Sequence, residues 1–204
     1  MAVYRISSPD AADMTARLDL DKEEMPMSKK VLILSGSPRR GGNSDLLCDA
    51  FLAGAQESGH AAEKLFVRDL KIGYCHACYA CRESGVCVQR DGMQQVLDGM
   101  RQADVIVLSS PVYFYAIDAQ MKAVIDRTLA QWTQLPDKEF YYILTAAEDE
   151  PSTFETSLAC FRGFASCLEG SQERGALCAG GVYEAGAVKA TPCLAQARQM
   201  GREV

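Results

Sequence analysis

The sequence contains no run of about 18 consecutive apolar residues, so no membrane-spanning helix is expected. Its first residues lack the basic stretch and apolar core of a secretory leader. Basic charge is not in excess either. The 21 Lys and Arg stand against 27 Asp and Glu, a formal net charge of -6, which argues against nucleic acid or an anionic membrane surface as a partner. Internal repeats and low-complexity blocks are absent. The one glycine-rich loop is not followed by the Gly-Lys-Ser/Thr of a Walker A motif, and the dinucleotide pattern Gly-x-Gly-x-x-Gly is missing. Cysteine, by contrast, is abundant, with nine residues, four of them between positions 75 and 87. An odd number clustered in this way does not read as a secreted disulfide framework. It fits a reducing, cytoplasmic setting with a local thiol cluster.

At 204 residues the chain is long enough for one domain with a sizeable core. Residues 1–28 are polar and weakly patterned, with a charged run from Asp19 to Glu24, and read as a poorly ordered extension. The ordered domain is expected over residues 29–204. Short apolar runs bounded by turn residues read as buried strands at 31–34, 62–67, 104–109 and 139–146, with a weaker, glycine-interrupted strand at 174–183. Between them lie helical patterns. The first opens at Asn43-Ser44 and ends at Gly59. Others cover residues 92–102, 117–131, 152–168 and 189–202. Alternating strands and helices imply βαβ units. The expected fold is therefore α/β, a doubly wound, five-stranded parallel sheet in the flavodoxin-like order 2-1-3-4-5, with ligands outside the strand C-terminal ends.

Two loops sit where that fold places a ligand. Ser35-Gly-Ser-Pro-Arg-Arg-Gly-Gly-Asn-Ser44 joins the first strand to the first helix. Ser37 and Ser44 offer hydroxyl donors, Arg39 a charged donor, Gly41 and Gly42 accessible N–H groups, and the helix start a partial positive charge. Such a loop suits a phosphate monoester, of which FMN is an example, better than a triphosphate. Ser109-Ser-Pro-Val-Tyr-Phe-Tyr115 follows the third strand. Pro111 fixes its turn, and Tyr113, Phe114 and Tyr115 offer faces for a planar ring. A third ligand loop is expected near Thr145-Ala-Ala-Glu148.

The motif Ser-Gly-Ser-Pro-Arg-x-x-Gly-Asn-Ser is followed about 70 residues later by Ser-Pro-Val-Tyr-Phe and the helix Ala-Gln-Met-Lys-Ala-Val-Ile-Asp-Arg. Together they resemble the NADPH-dependent FMN reductase family. The resemblance implies FMN as cofactor and NAD(P)H as co-substrate. It implies that Ser37, Arg39, Asn43 and Ser44 hold the FMN phosphate, and that Pro111, Val112, Tyr113 and Phe114 line the flavin ring. It also implies a homodimer or higher homo-oligomer that builds the site between subunits.

The segment Cys75-x2-Cys78-x2-Cys81-x5-Cys87 admits several readings. Closely spaced thiolates suit an iron–sulfur cluster, and the spacing is similar to that of iron–sulfur flavoproteins. By that likeness Cys75, Cys78, Cys81 and Cys87 are ligands of a [4Fe-4S] cluster. The same residues could be free or redox-active thiols, or bind zinc. Cysteines three apart would also line one side of a helix and simply pack. Cys48, Cys160, Cys167, Cys178 and Cys193 fall on predicted helices or strands and read as buried filler. His76, one of two histidines, lies inside the cluster segment without an assigned role.

Three functions follow. The first is an FMN-dependent NAD(P)H oxidoreductase passing electrons to a small-molecule or protein acceptor, for which no catalytic side chain is required. The second is an iron–sulfur flavoprotein electron carrier. The third is a non-enzymatic thiol redox sensor.

Overall fold

The computed structural model describes residues 28–204. The expected extension, residues 1–28, lies outside the described residues except for Ser28. Alternation of apolar side chains builds one sheet buried on both faces. Five strands run parallel: β1 (Lys30–Ser35), β2 (Ala61–Phe66), β3 (Val105–Tyr113), β5 (Glu139–Thr145) and β6 (Gln172–Ala179). A two-residue strand, β4 (Ala116–Ile117), pairs antiparallel with the end of β3. The order is β2-β1-β3-β5-β6, which is the expected 2-1-3-4-5 once the short β4 is set aside.

Successive residues of each strand face opposite sides. Val31, Ile33, Val105, Val107, Tyr141 and Ile143 meet α1 (Asn43–Glu57) and α6 (Cys193–Arg202). Leu32, Leu34, Ile106, Leu108, Phe140 and Tyr142 meet α3 (Met93–Gln102), α4 (Ala119–Arg127) and α5 (Ser152–Ser166). A one-turn helix, α2 (Cys81–Ser84), lies within the cysteine segment. Helices α1 and α6 touch backbone to backbone: a Cβ on Gly54 would lie 1.9 Å from the Arg198 carbonyl oxygen, and one on Gly201 2.1 Å from that of Phe51.

Several expected elements differ in extent. The helix expected over residues 117–131 begins only after β4 and ends at Arg127, giving way to 3-10 turns at Thr128–Ala130 and Trp132–Gln134. Leu129, within the expected helical span but beyond the end of α4, is exposed. The last strand starts two residues before the expected 174 and stops four before 183. Residues 180–183 instead form part of a loop beyond the C-terminal end of β6. The cysteines expected to be buried filler are mostly not: Cys48 is buried, Cys160, Cys178 and Cys193 are half-buried, and Cys167 is exposed.

Candidate functional site

The C-terminal ends of β1, β3, β5 and β6 deliver four loops to one cleft. After β1 the chain must pass close beneath its neighbours. The Gly36 N–H donates to the Ser109 carbonyl at 2.8 Å, and a Cβ there would lie 2.7 Å from both that oxygen and Asp118 Oδ2. Only glycine fits. The loop then turns through Gly41, which has φ +68, and its N–H donates to Asp45 Oδ2 at 2.9 Å. The Gly42 N–H donates to the Arg39 carbonyl, so neither glycine N–H is free for a ligand. Helix α1 begins at Asn43 with no side chain capping it. Its first-turn N–H groups have no intrahelical acceptor and carry the positive end of the helix dipole. Asp45, buried in that turn, is held in an ion pair by Lys64 at 2.7 Å.

Four residues were expected to hold a phosphate, and the structure brings all four to this cleft. Their side chains differ in availability. Arg39 is exposed and has no carboxylate partner among the described residues, whereas Arg40 pairs with Asp69 and stacks over Phe66. Ser37 Oγ accepts the Arg39 N–H at 3.2 Å. The Ser44 hydroxyl meets the Thr145 hydroxyl at 2.7 Å. The Asn43 amide is engaged throughout: it donates to the Val182 and Glu184 carbonyls at 3.0 and 2.9 Å and accepts the Val188 N–H at 3.1 Å. Asn43 therefore braces the 182–188 loop against α1, and a ligand there would meet its backbone N–H rather than its amide.

Pro111, Val112 and Tyr113 line the opposite wall. Beneath them sits Ser110. Its hydroxyl lies 2.7 Å from the Pro111 carbonyl oxygen and 3.2 Å from Asp118 Oδ2, and its oxygen accepts the Asp118 N–H at 2.8 Å. Asp118 caps α4 by accepting the Met121 N–H. Burial pushes the Asp118 carboxyl up to about 7, only partly offset by hydrogen bonds from Met121, Ser110 and Gln120.

The fourth flavin-ring residue, Phe114, does not line this cleft. The chain turns back from β3 to β4 through Phe114 (φ 50) and Tyr115 (φ 61), a two-residue hairpin with both central residues at positive φ, as a type I′ turn requires. Asn-Gly is the usual occupant. An aromatic pair there costs roughly 1 kcal/mol or more per residue. Phe114 is fully exposed, and the Tyr115 hydroxyl donates to Glu148 at 3.1 Å.

Thr145, Ala146 and Ala147 also line the cleft, as expected for the third loop, without a residue having been singled out. Val182, Tyr183 and Ala185 were missed. The signal was present in Gly180-Gly181 at the end of the weakest strand. The arrangement joins an uncapped helix N-terminus, and an arginine without a carboxylate partner among the described residues, to a cleft between loops, which suits a phosphate monoester bearing a flat ring.

The cysteine segment is anchored at both ends. Arg127, its side chain 1% exposed, donates to the Gly73 carbonyl at 2.9 Å and to both Asp91 oxygens at 2.9 and 3.1 Å. Burial pushes the Asp91 carboxyl up, but hydrogen bonds from Arg127, Gly73 and Met93 outweigh it and hold the group below the usual carboxylate range. Between the anchors the segment is not the helix that would align Cys75, Cys78 and Cys81, since only Cys81–Ser84 is helical. Cys75 Sγ accepts the Ala77 N–H at 3.5 Å and lies along a groove with Trp132 and Phe164. Cys78 is exposed between two residues at positive φ, Ala77 and Tyr79. Cys81 lines a different depression, and Cys87 contacts Arg127. Among the described residues no three Cys, His, Asp or Glu side chains are grouped to hold a metal ion. In this arrangement the four thiols do not fit a cluster.

Residues 29–150 match the family model described as NADPH-dependent FMN reductase. An iron–sulfur flavoprotein of Archaeoglobus fulgidus is 41% identical over 100 residues, 49% of this chain and 46% of that protein. One of Methanosarcina thermophila is 38% identical over 100 residues, 49% and 52% of the two. The chain thus spans about half the length of the curated relatives it matches. A NAD(P)H:quinone oxidoreductase from Methanothermobacter marburgensis superposes with TM-score 0.68 at 19% identity, over 86% of this chain and 96% of that one. An azoreductase from Bacillus anthracis gives 0.66 at 15%, over 86% and 100%. At those identities the two structures share the fold with this chain.

Proposed function

Because this chain belongs to the NADPH-dependent FMN reductase family, we propose that it is an FMN-binding, NAD(P)H-dependent oxidoreductase whose cofactor occupies the cleft at the ends of β1, β3, β5 and β6. The supporting observation is convergence: seven of the eight residues expected to bind FMN line that one cleft. Arg39, the α1 N-terminus and the Ser37 and Ser44 hydroxyls would hold the phosphate. Pro111, Val112 and Tyr113 would flank the ring from one side, and Ala146, Ala147 and Tyr183 from the other. Bound there, FMN would supply the hydride and electron chemistry. The protein's part is to anchor the phosphate, orient the ring and limit the approach of water. No side chain is assigned as acid or base. The reading extends to the domain spanning 29–204 and to a cytoplasmic setting, which the nine free cysteines favour. Among the described residues no helix is long and apolar enough to cross a membrane.

Titration with FMN and with riboflavin tests this reading. Arg39→Ala is expected to weaken FMN binding about tenfold or more and leave riboflavin nearly unchanged, as the loss of one charge-assisted phosphate contact predicts. Flavin fluorescence quenching measures both, and NADH or NADPH oxidation by the loaded protein measures turnover. Failure to bind FMN would sink the reading.

A second reading, an iron–sulfur flavoprotein electron carrier, is favoured by the names of the relatives and by the two left-handed residues flanking Cys78. It requires the segment between its Gly73 and Asp91 anchors, both held by Arg127, to refold around the cluster. Iron and sulfide assays on anaerobically purified protein separate the two readings. About four of each per chain would support the carrier, and flavin without iron would leave the reductase.

A further inference from the structure

The cleft continues into a second compartment. Val112, Ala146 and Ala147 face both spaces, and beyond them a cavity of about 220 Å³ is walled by Phe114 and Tyr115 and edged by Glu148. Its aromatic wall is held in a strained conformation that packing does not offset. Phe114 makes the hairpin tip at positive φ and stays fully exposed. Strain retained at an exposed position points to contact with something outside the fold.

Glu148 closes the far side. Its two oxygens accept the Tyr115 hydroxyl at 3.1 Å each, and Oε2 also accepts the Thr153 hydroxyl at 3.0 Å. Both donors are neutral. No ion pair among the described residues involves Glu148. Its negative charge therefore stands without a countercharge among the described residues at the edge of a space lined otherwise by Val112, Ala146, Ala147, Thr153 and the two aromatic rings.

We propose that the Phe114–Tyr115 hairpin tip and Glu148 form a ring-selecting gate beside the cofactor cleft, which admits a neutral, planar, carbonyl-bearing ring and rejects an anionic one. On the functional reading above, on which this assignment rests, such a ring is the nicotinamide of the donor or a quinone-type ring of the acceptor. Phe114 offers the ring an apolar face. An anionic ring of the same size loses hydration and meets the Glu148 charge within a few ångströms. The gate is open to solvent, so salt screens the discrimination.

Nicotinamide and nicotinate are matched probes, with the same ring and size and differing in one carboxylate. Their dissociation constants are measured by ligand-observed NMR on the full chain, with and without FMN. At low salt nicotinate is expected to bind about fivefold more weakly, and at about 0.5 M salt the gap should shrink below twofold. Glu148→Gln should close it at low salt. Phe114→Ala, a change at a fully exposed side chain, should weaken both probes about threefold or more. Duroquinone, neutral and closed to thiol addition, should compete with nicotinamide if donor and acceptor rings share the compartment, while binding of one alone names the source. A gap that survives Glu148→Gln, affinities indifferent to Phe114→Ala, or no binding of either neutral ring overturns the gate. FMN binding without ring selection overturns the gate alone. Ring selection without FMN binding overturns the functional reading alone.

Discussion

Asp118 shows how one buried side chain serves two loops of the candidate site. Its carboxyl packs against Gly36 beneath the first loop and meets Ser110 beneath the second, and no charged side chain is among the causes that set its proton affinity. The native state keeps this proton up to about pH 7, whereas an unfolded Asp loses it near 3.9. The native state binds more protons between those values, so the stability this group contributes is full below about pH 4 and is lost as pH rises to about 7. Asparagine can still accept the Met121 N–H as a helix cap and carries no titrating charge. Asp118→Asn should match the wild type near pH 4 and exceed it at pH 8, by at most about 4 kcal/mol from linkage. Urea unfolding at pH 4.5, 6 and 8 measures the difference. Parallel profiles would show that the Asp118 proton is not released in this range.

At the level of elements, the β3–β4 hairpin separates what a sequence discloses from what it withholds. Replacing Phe114-Tyr115 by Asn-Gly supplies the residues the turn conformation favours, at the loss of the exposed Tyr115–Glu148 hydrogen bond. The double variant should be more stable by about 1 kcal/mol, a rise of roughly 2–4 °C in melting temperature. An unchanged or lower melting temperature would count against strain at the tip. The loops after β1 and β3 were legible in the sequence because their signals are local: an apolar run, turn residues, a helix start. The hairpin was hidden inside a helical pattern, since Ile117, Met121, Val124 and Ile125 keep helical spacing although Ile117 belongs to β4. The role of Asn43 was not legible at all. Its partners are 139 to 145 residues away, and no local pattern encodes them. Tyr183 was missed because β6 opens with Gln-Glu-Arg-Gly, a polar edge whose strand end is hard to place.

For the whole molecule, every exposed large hydrophobic side chain among the described residues belongs to one of two regions. Tyr74, Tyr79, Val86 and Val88 lie on the cysteine segment, beside Leu129 and Trp132 after α4. Tyr113, Phe114, Tyr115 and Tyr183 ring the mouth of the cleft. Apolar surface gathered in this way on a chain of net charge -6 favours self-association over scattered stickiness. Light scattering after gel filtration is expected to return twice the chain mass or a higher multiple of it, and Trp132→Glu is expected to shift it toward the monomer. A monomeric wild type at tens of micromolar would refute the expected homo-oligomer.

The Asn43 brace also governs the order of assembly. The stretch shared with the family ends at residue 150, yet Asn43 reaches Val182, Glu184 and Val188, and α1 docks against α6 through Gly54 and Gly201. The N-terminal end of α1, proposed above to hold the phosphate, emerges early in synthesis, while the residues that fix it come near the end. Closing so long a loop is slow and entropically unfavourable until the last strand pairs. A nascent chain halted after β5 would thus carry the β1–α1 loop without the wall that completes the cleft, and on the proposed function cofactor capture becomes a late event that reports a finished fold.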